Sequence, residues 1–283
     1  MAEPLLSVKN LVVRYGGRRG GKTVIDGVSL DLHAGETVSL VGESGSGKTT
    51  IGRAILGLAP VTGGSIEFRG QKIDNIPRSR RRQVARDIQV IFQDPYSSLN
   101  PSMTVESILV EPLRATGVSG GRDRVRELLD AVGLPADAGR RYPREFSGGQ
   151  RQRIAIARAL ALEPSVIVCD EPTSALDVTT QARVLAMLAD IQKNTGVAYL
   201  FISHDLGVVH AISDRIAVLH RGQIVELGDA RQVSTAPRHA YTRRLQMAAP
   251  IADPPRQRAR RASRLAALEQ EADAEAARPH DAA

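Results

Sequence analysis

The chain has 283 residues, 42% hydrophobic and 24% charged, with a formal net charge of +7 and one cysteine; this excludes a fibrous protein, an internal disulfide and an all-cysteine metal site built by one chain. No run approaches the roughly eighteen apolar residues of a membrane span, and MAEPLLSVKN lacks the basic-then-apolar pattern of a secretory signal, so a cytoplasmic protein is expected. The basic residues gather in PRSRRRQVAR (77–86) and PRQRARRASR (255–264), read as solvated faces or tails, and with no Trp, 5 Tyr and 4 Phe the chain lacks the aromatics that stack bases, so no nucleic-acid partner is expected.

Residues 5–41 alternate apolar runs with turn signals: LLSVKNLVVRY, the loop GGRRGGK, TVIDGVSLDL, HAG and ETVSLV. They predict β-strands delivering the chain to GESGSGKTT (42–50). From Gly42 to Thr49 the spacing is G-x-x-x-x-G-K-[ST], which lets backbone N–H groups converge on an anion at the N-terminus of the predicted helix KTTIGRAILGL. A merely flexible turn needs neither the preceding strand nor Lys-Thr after the last glycine. Ser44, Gly45, Ser46, Gly47 and Thr50 belong to this cradle, Lys48 reaches the β- and γ-phosphates, and Thr49 reaches a magnesium ion. A nucleoside triphosphate is the expected ligand.

TGGSIEFRG and IQVIFQDP read as strands. From 102 the pattern changes to short helical pieces broken by Gly and Pro, a helical insert that extends through the helix RQRIAIARALAL to about 160. Then follow the strand SVIVCDE, the helix TTQARVLAMLADIQKN, the strand VAYLFIS and a hairpin turning at Arg221-Gly222. Strands alternating with helices predict an α/β fold with a mostly parallel sheet covered on both faces. Beyond about 250 the composition becomes Ala, Arg, Glu and Pro, so 251–283 is expected to be a disordered or partly helical tail to one nucleotide-binding domain over 1–250.

Two stretches carry more specific chemistry. The apolar run VIVC places Asp170 and Glu171 at the end of a buried strand, where a metal-organising carboxylate and a water-activating base belong in a phosphate-loop enzyme. In FSGGQRQR (146–153), Ser147 and Gln150 fit an S-x-x-Q capping box. That leaves unexplained Gly148 and Gly149 in a first helical turn, where each costs about 1 kcal/mol relative to alanine. Exposed N–H groups that approach a phosphate closely need such residues, which suggests a second anion site serving another subunit's nucleotide.

With these motifs in this order, the sequence over roughly 5–250 resembles the ATP-binding cassette (ABC) ATPases. GESGSGKT looks like the Walker A loop, VIVCDEP the Walker B strand, and FSGGQ the signature, with Phe146 where Leu is commoner. Gln93 matches the Q-loop, SALD with Asp177 the D-loop, His204 the switch histidine, and Tyr15 the aromatic that stacks on adenine. The resemblance implies a P-loop NTPase fold with an antiparallel β subdomain and an inserted helical signature subdomain. Two cassettes would pair head to tail around ATP and Mg2+. Glu171, His204 and Gln93 are then the catalytic set, Thr49, Gln93 and Asp170 the magnesium-facing groups, Ser147, Gly148, Gly149 and Gln150 the residues that meet the other cassette's nucleotide, and Asp177 the residue at the nucleotide site that couples the two sites.

FQDPYSSLNPSMTV, RYPREFSGGQRQRIAIARAL, DEPTSALDV and HAYTRRLQMAAP further resemble the importer ATPases for oligopeptides and dipeptides. Implied partners are two membrane-spanning permease subunits, a second, non-identical ABC ATPase and an extracytoplasmic solute-binding protein, with this chain peripheral on the cytoplasmic face of the membrane. Nickel or glycoside import by the same machinery is the alternative, and a soluble ABC ATPase acting on nucleic acid or ribosomes a further one. Long coiled-coil insertions, as in repair relatives, and a second cassette, as in translation relatives, are both absent from the sequence. The cysteine-bearing tail of many subfamily members is absent too, so no iron-sulfur cluster is expected. Cys169 reads as a small buried core residue.

Overall fold

The computed structural model describes residues 3–16, 21–118 and 121–248; the expected tail at 251–283 and part of the loop at 16–22 lie outside them. In chain order, β1 (Leu6–Tyr15) and β2 (Lys22–Leu32) pair antiparallel, and β3 (Thr37–Val41) leads through the glycine-rich loop into α1 (Lys48–Ile55). β4 (Gly63–Phe68) and β5 (Gln71–Lys72) complete the first sheet, followed by α2 (Arg78–Asp87) and β6 (Ile88–Ile91). The helical insert comprises α3 (Val105–Thr116), α4 (Arg122–Ala131), two short 3-10 turns and α5 (Gly148–Leu160). Then come β7 (Val166–Asp170), α6 (Val178–Thr195), β8 (Ala198–Ser203), α7 (Leu206–Ile212), the hairpin β9 (Arg215–His220) and β10 (Gln223–Asp229), α8 (Ala230–Thr235) and α9 (Ala240–Ala248).

The strands form an antiparallel sheet ordered β2-β1-β4-β5 and a six-stranded sheet ordered β10-β9-β3-β8-β7-β6, parallel except for β10. The uninterrupted apolar runs of β7 and β8 follow from burial on both faces. Val166, Val168, Ala198, Leu200 and Ile202 pack toward α1 and the antiparallel sheet, whereas Ile167, Cys169, Tyr199 and Phe201 join the core shared with the helical insert. This period-two division fixes the register of both strands, because a one-residue slip would exchange the two cores. Cys169 is fully buried, and burial, then the neighbouring Asp170 charge, pushes its thiol pKa up, as suits an inert core residue.

The parallel arrangement brings the carboxyl ends of β3, β7 and β8 to one edge of the sheet, where ligands of open α/β sheets bind. The glycine-rich loop, the Asp170-Glu171 pair and His204 therefore meet there. Ser147 and Gln150 form the expected reciprocal capping box at the start of α5. The basic stretch at 77–86 is largely the helix α2, a solvated face with no buried residue. Arg81 is the exception to that reading, since it donates to the Ile55 carbonyl at 3.1 Å and to the Ile73 carbonyl.

Candidate functional site

The loop between β3 and α1 is shaped by what surrounds it. A Cβ on Gly42 would lie 2.2 Å from the Leu219 carbonyl oxygen, and one on Gly47 2.5 Å from Ile25 Cδ1. Gly45 and Gly47 also have φ of 80° and 109°, a region that side chains oppose. Two of the four required positions of the motif, Gly42 and Gly47, thus have local steric reasons. Helix α1 starts at Gly47 with no side-chain cap, so its first-turn amides, which have no intrahelical acceptor, are open to an anion. Lys48, nearly buried, donates to the carbonyls of Gly42 and Glu43 at 2.7 and 2.9 Å. Burial depresses its pKa against the opposing pull of Glu171, Asp170 and Glu43.

Across the loop, Thr49 Oγ1 donates to Asp170 Oδ1 at 2.9 Å. Burial holds the Asp170 carboxyl above the usual range, opposed by the Thr49 hydrogen bond and by Arg53 and Lys48, while the nearby Glu171 charge adds to the rise. One residue on, Glu171 collects two partners: Gln93 Nε2 donates to Oε2 at 3.2 Å, and His204 Nδ1 lies 3.2 Å from Oε1. The Glu171 backbone is left-handed, with φ of 49°, a conformation costing a non-glycine residue about 1 kcal/mol or more. It is held by Glu171 N–H donating to the Ile202 carbonyl at 2.9 Å, and by Ser174 Oγ donating to the Glu171 carbonyl at 3.1 Å. Strain of this kind, fixed from both sides, aims the carboxylate away from the path β7 would otherwise continue.

These groups line one open cleft of about 580 Å3: Ser44, Gly45, Gly47, Lys48, Thr49 and Thr50 on the loop side, with Gln93, Glu171 and His204 opposite. Val24 of β2 also lines it, a residue whose sequence gave no signal because a strand valine looks like any other. Gly42 and Ser46 shape the loop from beneath; Ser46 Oγ is buried with no hydrogen-bond partner among the described residues. Tyr15, at the end of β1 and 41% exposed, is not among the lining residues.

The signature residues are elsewhere. Ser147 and Gln150 are exposed at the N-terminus of α5, and none of Ser147, Gly148, Gly149 and Gln150 lines the cleft. Asp177 caps α6 instead, accepting from Thr180 N–H at 2.9 Å and from Thr180 Oγ1 at 2.6 Å. Thr180 in turn crowds Gly149, where a Cβ would lie 2.5 Å from Thr180 Cγ2, so this glycine has a packing reason in addition to any ligand.

Comparison with known proteins gives three findings. A family model described as ABC transporter matches residues 25–174. The glutathione import ATP-binding proteins GsiA of Escherichia coli (strain K12) and Shigella dysenteriae are each 52% identical over 269 residues, covering 92% of this chain. The chain spans 43% of the length of these curated relatives. Among solved structures, cbiO1 of Clostridium perfringens, part of the ABC transporter complex cbiONQ, aligns over 82% of this chain and 91% of its own with a TM-score of 0.73 and 25% identity. The ATP-binding cassette MJ0796, in a dimeric post-hydrolysis state bound to ADP and Pi, aligns over 80% of this chain and 99% of its own with a TM-score of 0.72 and 30% identity.

Proposed function

The chain belongs to the ABC transporter family of ATP-binding proteins, and we propose that it is the ATP-hydrolysing subunit of an importer for oligopeptides or dipeptides. The observation that carries the hydrolytic reading is the Glu171 carboxylate, braced at 3.2 Å by both Gln93 and His204 on the wall facing the glycine-rich loop. A carboxylate so placed accepts the proton of a water attacking the terminal phosphate, while Lys48 and the first-turn amides of α1 hold the phosphate oxygens. Lys48 Nζ carries three protons, two of them donated to the Gly42 and Glu43 carbonyls, which leaves one for a phosphate oxygen.

Thr49 and Asp170 suit a magnesium ion: both offer hard oxygen, and a carboxyl that burial pushes upward gains from a cation. When bound, that ion neutralises charge on the phosphates. Gln93 is suited to report the nucleotide state, since its side chain bridges to Glu171 from the segment that leads into the helical insert.

The import and peptide readings rest on the glutathione import relatives, whose cargo is itself a small peptide. Two permease subunits, an extracytoplasmic solute-binding protein and a second, non-identical ATPase are the proposed partners. The relatives' length, more than twice the matched span, leaves room in one chain for a second cassette. Among the described residues no helix is long and apolar enough to cross a membrane, which fits a chain attached through its partners to the cytoplasmic face. The test is to purify the tagged protein from gently solubilised membranes. Two multi-span proteins and a second cassette are expected with it; ribosomes or DNA in their place would refute the transport reading and leave the ATPase reading standing.

A further inference from the structure

The segment HAYTRRLQMAAP lies outside every motif assigned to the nucleotide, yet its helix α9 reaches the glycine-rich loop. Tyr241, 3% exposed, accepts a hydrogen bond on its hydroxyl from Glu43 N–H at 3.2 Å. The peptide group that supplies this N–H is the one whose other end, the Gly42 carbonyl, accepts from Lys48 Nζ at 2.7 Å. Tyr241 and Lys48 therefore hold opposite ends of one peptide plane. We propose that Tyr241 is a positioning residue for nucleotide binding, which fixes the 42–43 peptide and through it the approach of Lys48 to the phosphates.

Three features make this contact a rigid one. The tyrosine ring is seated on His220, with ring centroids 3.9 Å apart. Gly42 is pressed against the Leu219 carbonyl and Gly222 N–H donates to the Ser46 carbonyl at 3.0 Å, so the β9-β10 hairpin supports the same loop from the same side. The approach to α9 is itself anchored: Glu226 of β10 accepts from Arg238 N–H at 2.8 Å and from His239 N–H at 3.0 Å. Without the hydroxyl, the Glu43 amide loses its acceptor and the peptide plane is freer to turn, which takes the Gly42 carbonyl away from the lysine. A loop that must be ordered as the nucleotide arrives binds it more weakly than one already ordered.

This inference rests on the ATP-binding reading above, and the test separates the two. Tyr241→Phe in the full chain keeps the ring and its contact with His220 and removes the hydroxyl alone. Titration with a fluorescent ATP analogue, together with steady-state hydrolysis, is expected to show about a three- to tenfold rise in Kd and KM for ATP, the scale of one hydrogen bond, with kcat within about twofold and a melting temperature lowered by no more than a few degrees. Unaltered Kd and KM in the folded variant would overturn the inference, as would a loss of affinity seen only at temperatures where the variant begins to unfold. A wild-type chain that binds no ATP analogue would instead refute the reading on which the inference rests.

Discussion

Glu171 differs from its neighbour Asp170 in what its backbone does. Asp170 ends the regular strand and meets Thr49, whereas Glu171 turns left-handed and meets Gln93 and His204. Two adjacent carboxylates thereby acquire separate partners. Glu171→Gln keeps the size and the bridging capacity of the side chain but cannot accept a proton at neutral pH. ATP binding should persist while turnover falls at least ~100-fold, the usual worth of a general base; Lys48→Ala, by contrast, should weaken binding itself. Equilibrium binding and single-turnover hydrolysis on the two variants separate these losses, and a Glu171→Gln chain that still turns over at the wild-type rate would remove Glu171 as the base. The sequence makes the two carboxylates legible, because an apolar run ending in Asp-Glu is a local pattern. It does not reveal the left-handed turn, which depends on acceptors and donors at Ile202 and Ser174.

The same division between local and distant causes holds for the elements. The capping box of α5 and the Arg221-Gly222 hairpin are readable because turn chemistry resides in adjacent residues. Helices α7, α8 and α9 are too short to announce themselves by periodicity; each is held by particular contacts, such as Asp205 capping α7 and Glu226 holding the approach to α9. Helix α2 is hidden by its arginines, which read as a charged run. Gly149 shows how a distant contact reverses a local rule. In an open helical turn Gly→Ala would stabilise by about 1 kcal/mol, but here the new methyl would meet Thr180 Cγ2, and Thr180 is held in place by its own hydrogen bonds to Asp177. Gly149→Ala should therefore destabilise, by ~1–3 kcal/mol for an overpacked contact. Urea unfolding decides the sign, and a gain in stability would mean that α5 and α6 can separate without cost.

At the scale of the whole molecule, the cleft is incomplete in one respect. The loop wall and the Glu171 wall face each other, but no residue from the exposed N-terminus of α5 lines either. A helix start with two glycines in its first turn and exposed capping residues is suited to an approaching anion. The head-to-tail pairing that the family resemblance implies would supply one, because each signature would then close the other cassette's cleft. Ser147→Asp tests this without damage to the fold, since aspartate is as good an N-cap as serine and a negative charge favours a helix N-terminus. The added charge, however, would oppose a triphosphate brought against it, and like-charge apposition across an interface costs several kcal/mol. The isolated Ser147→Asp chain should bind the fluorescent ATP analogue within about twofold of the wild type, while hydrolysis by the assembled transporter falls at least ~tenfold. Loss of binding in the isolated chain, comparable to that of Lys48→Ala, would mean that the signature serves this chain's own nucleotide and needs no second cassette to meet one.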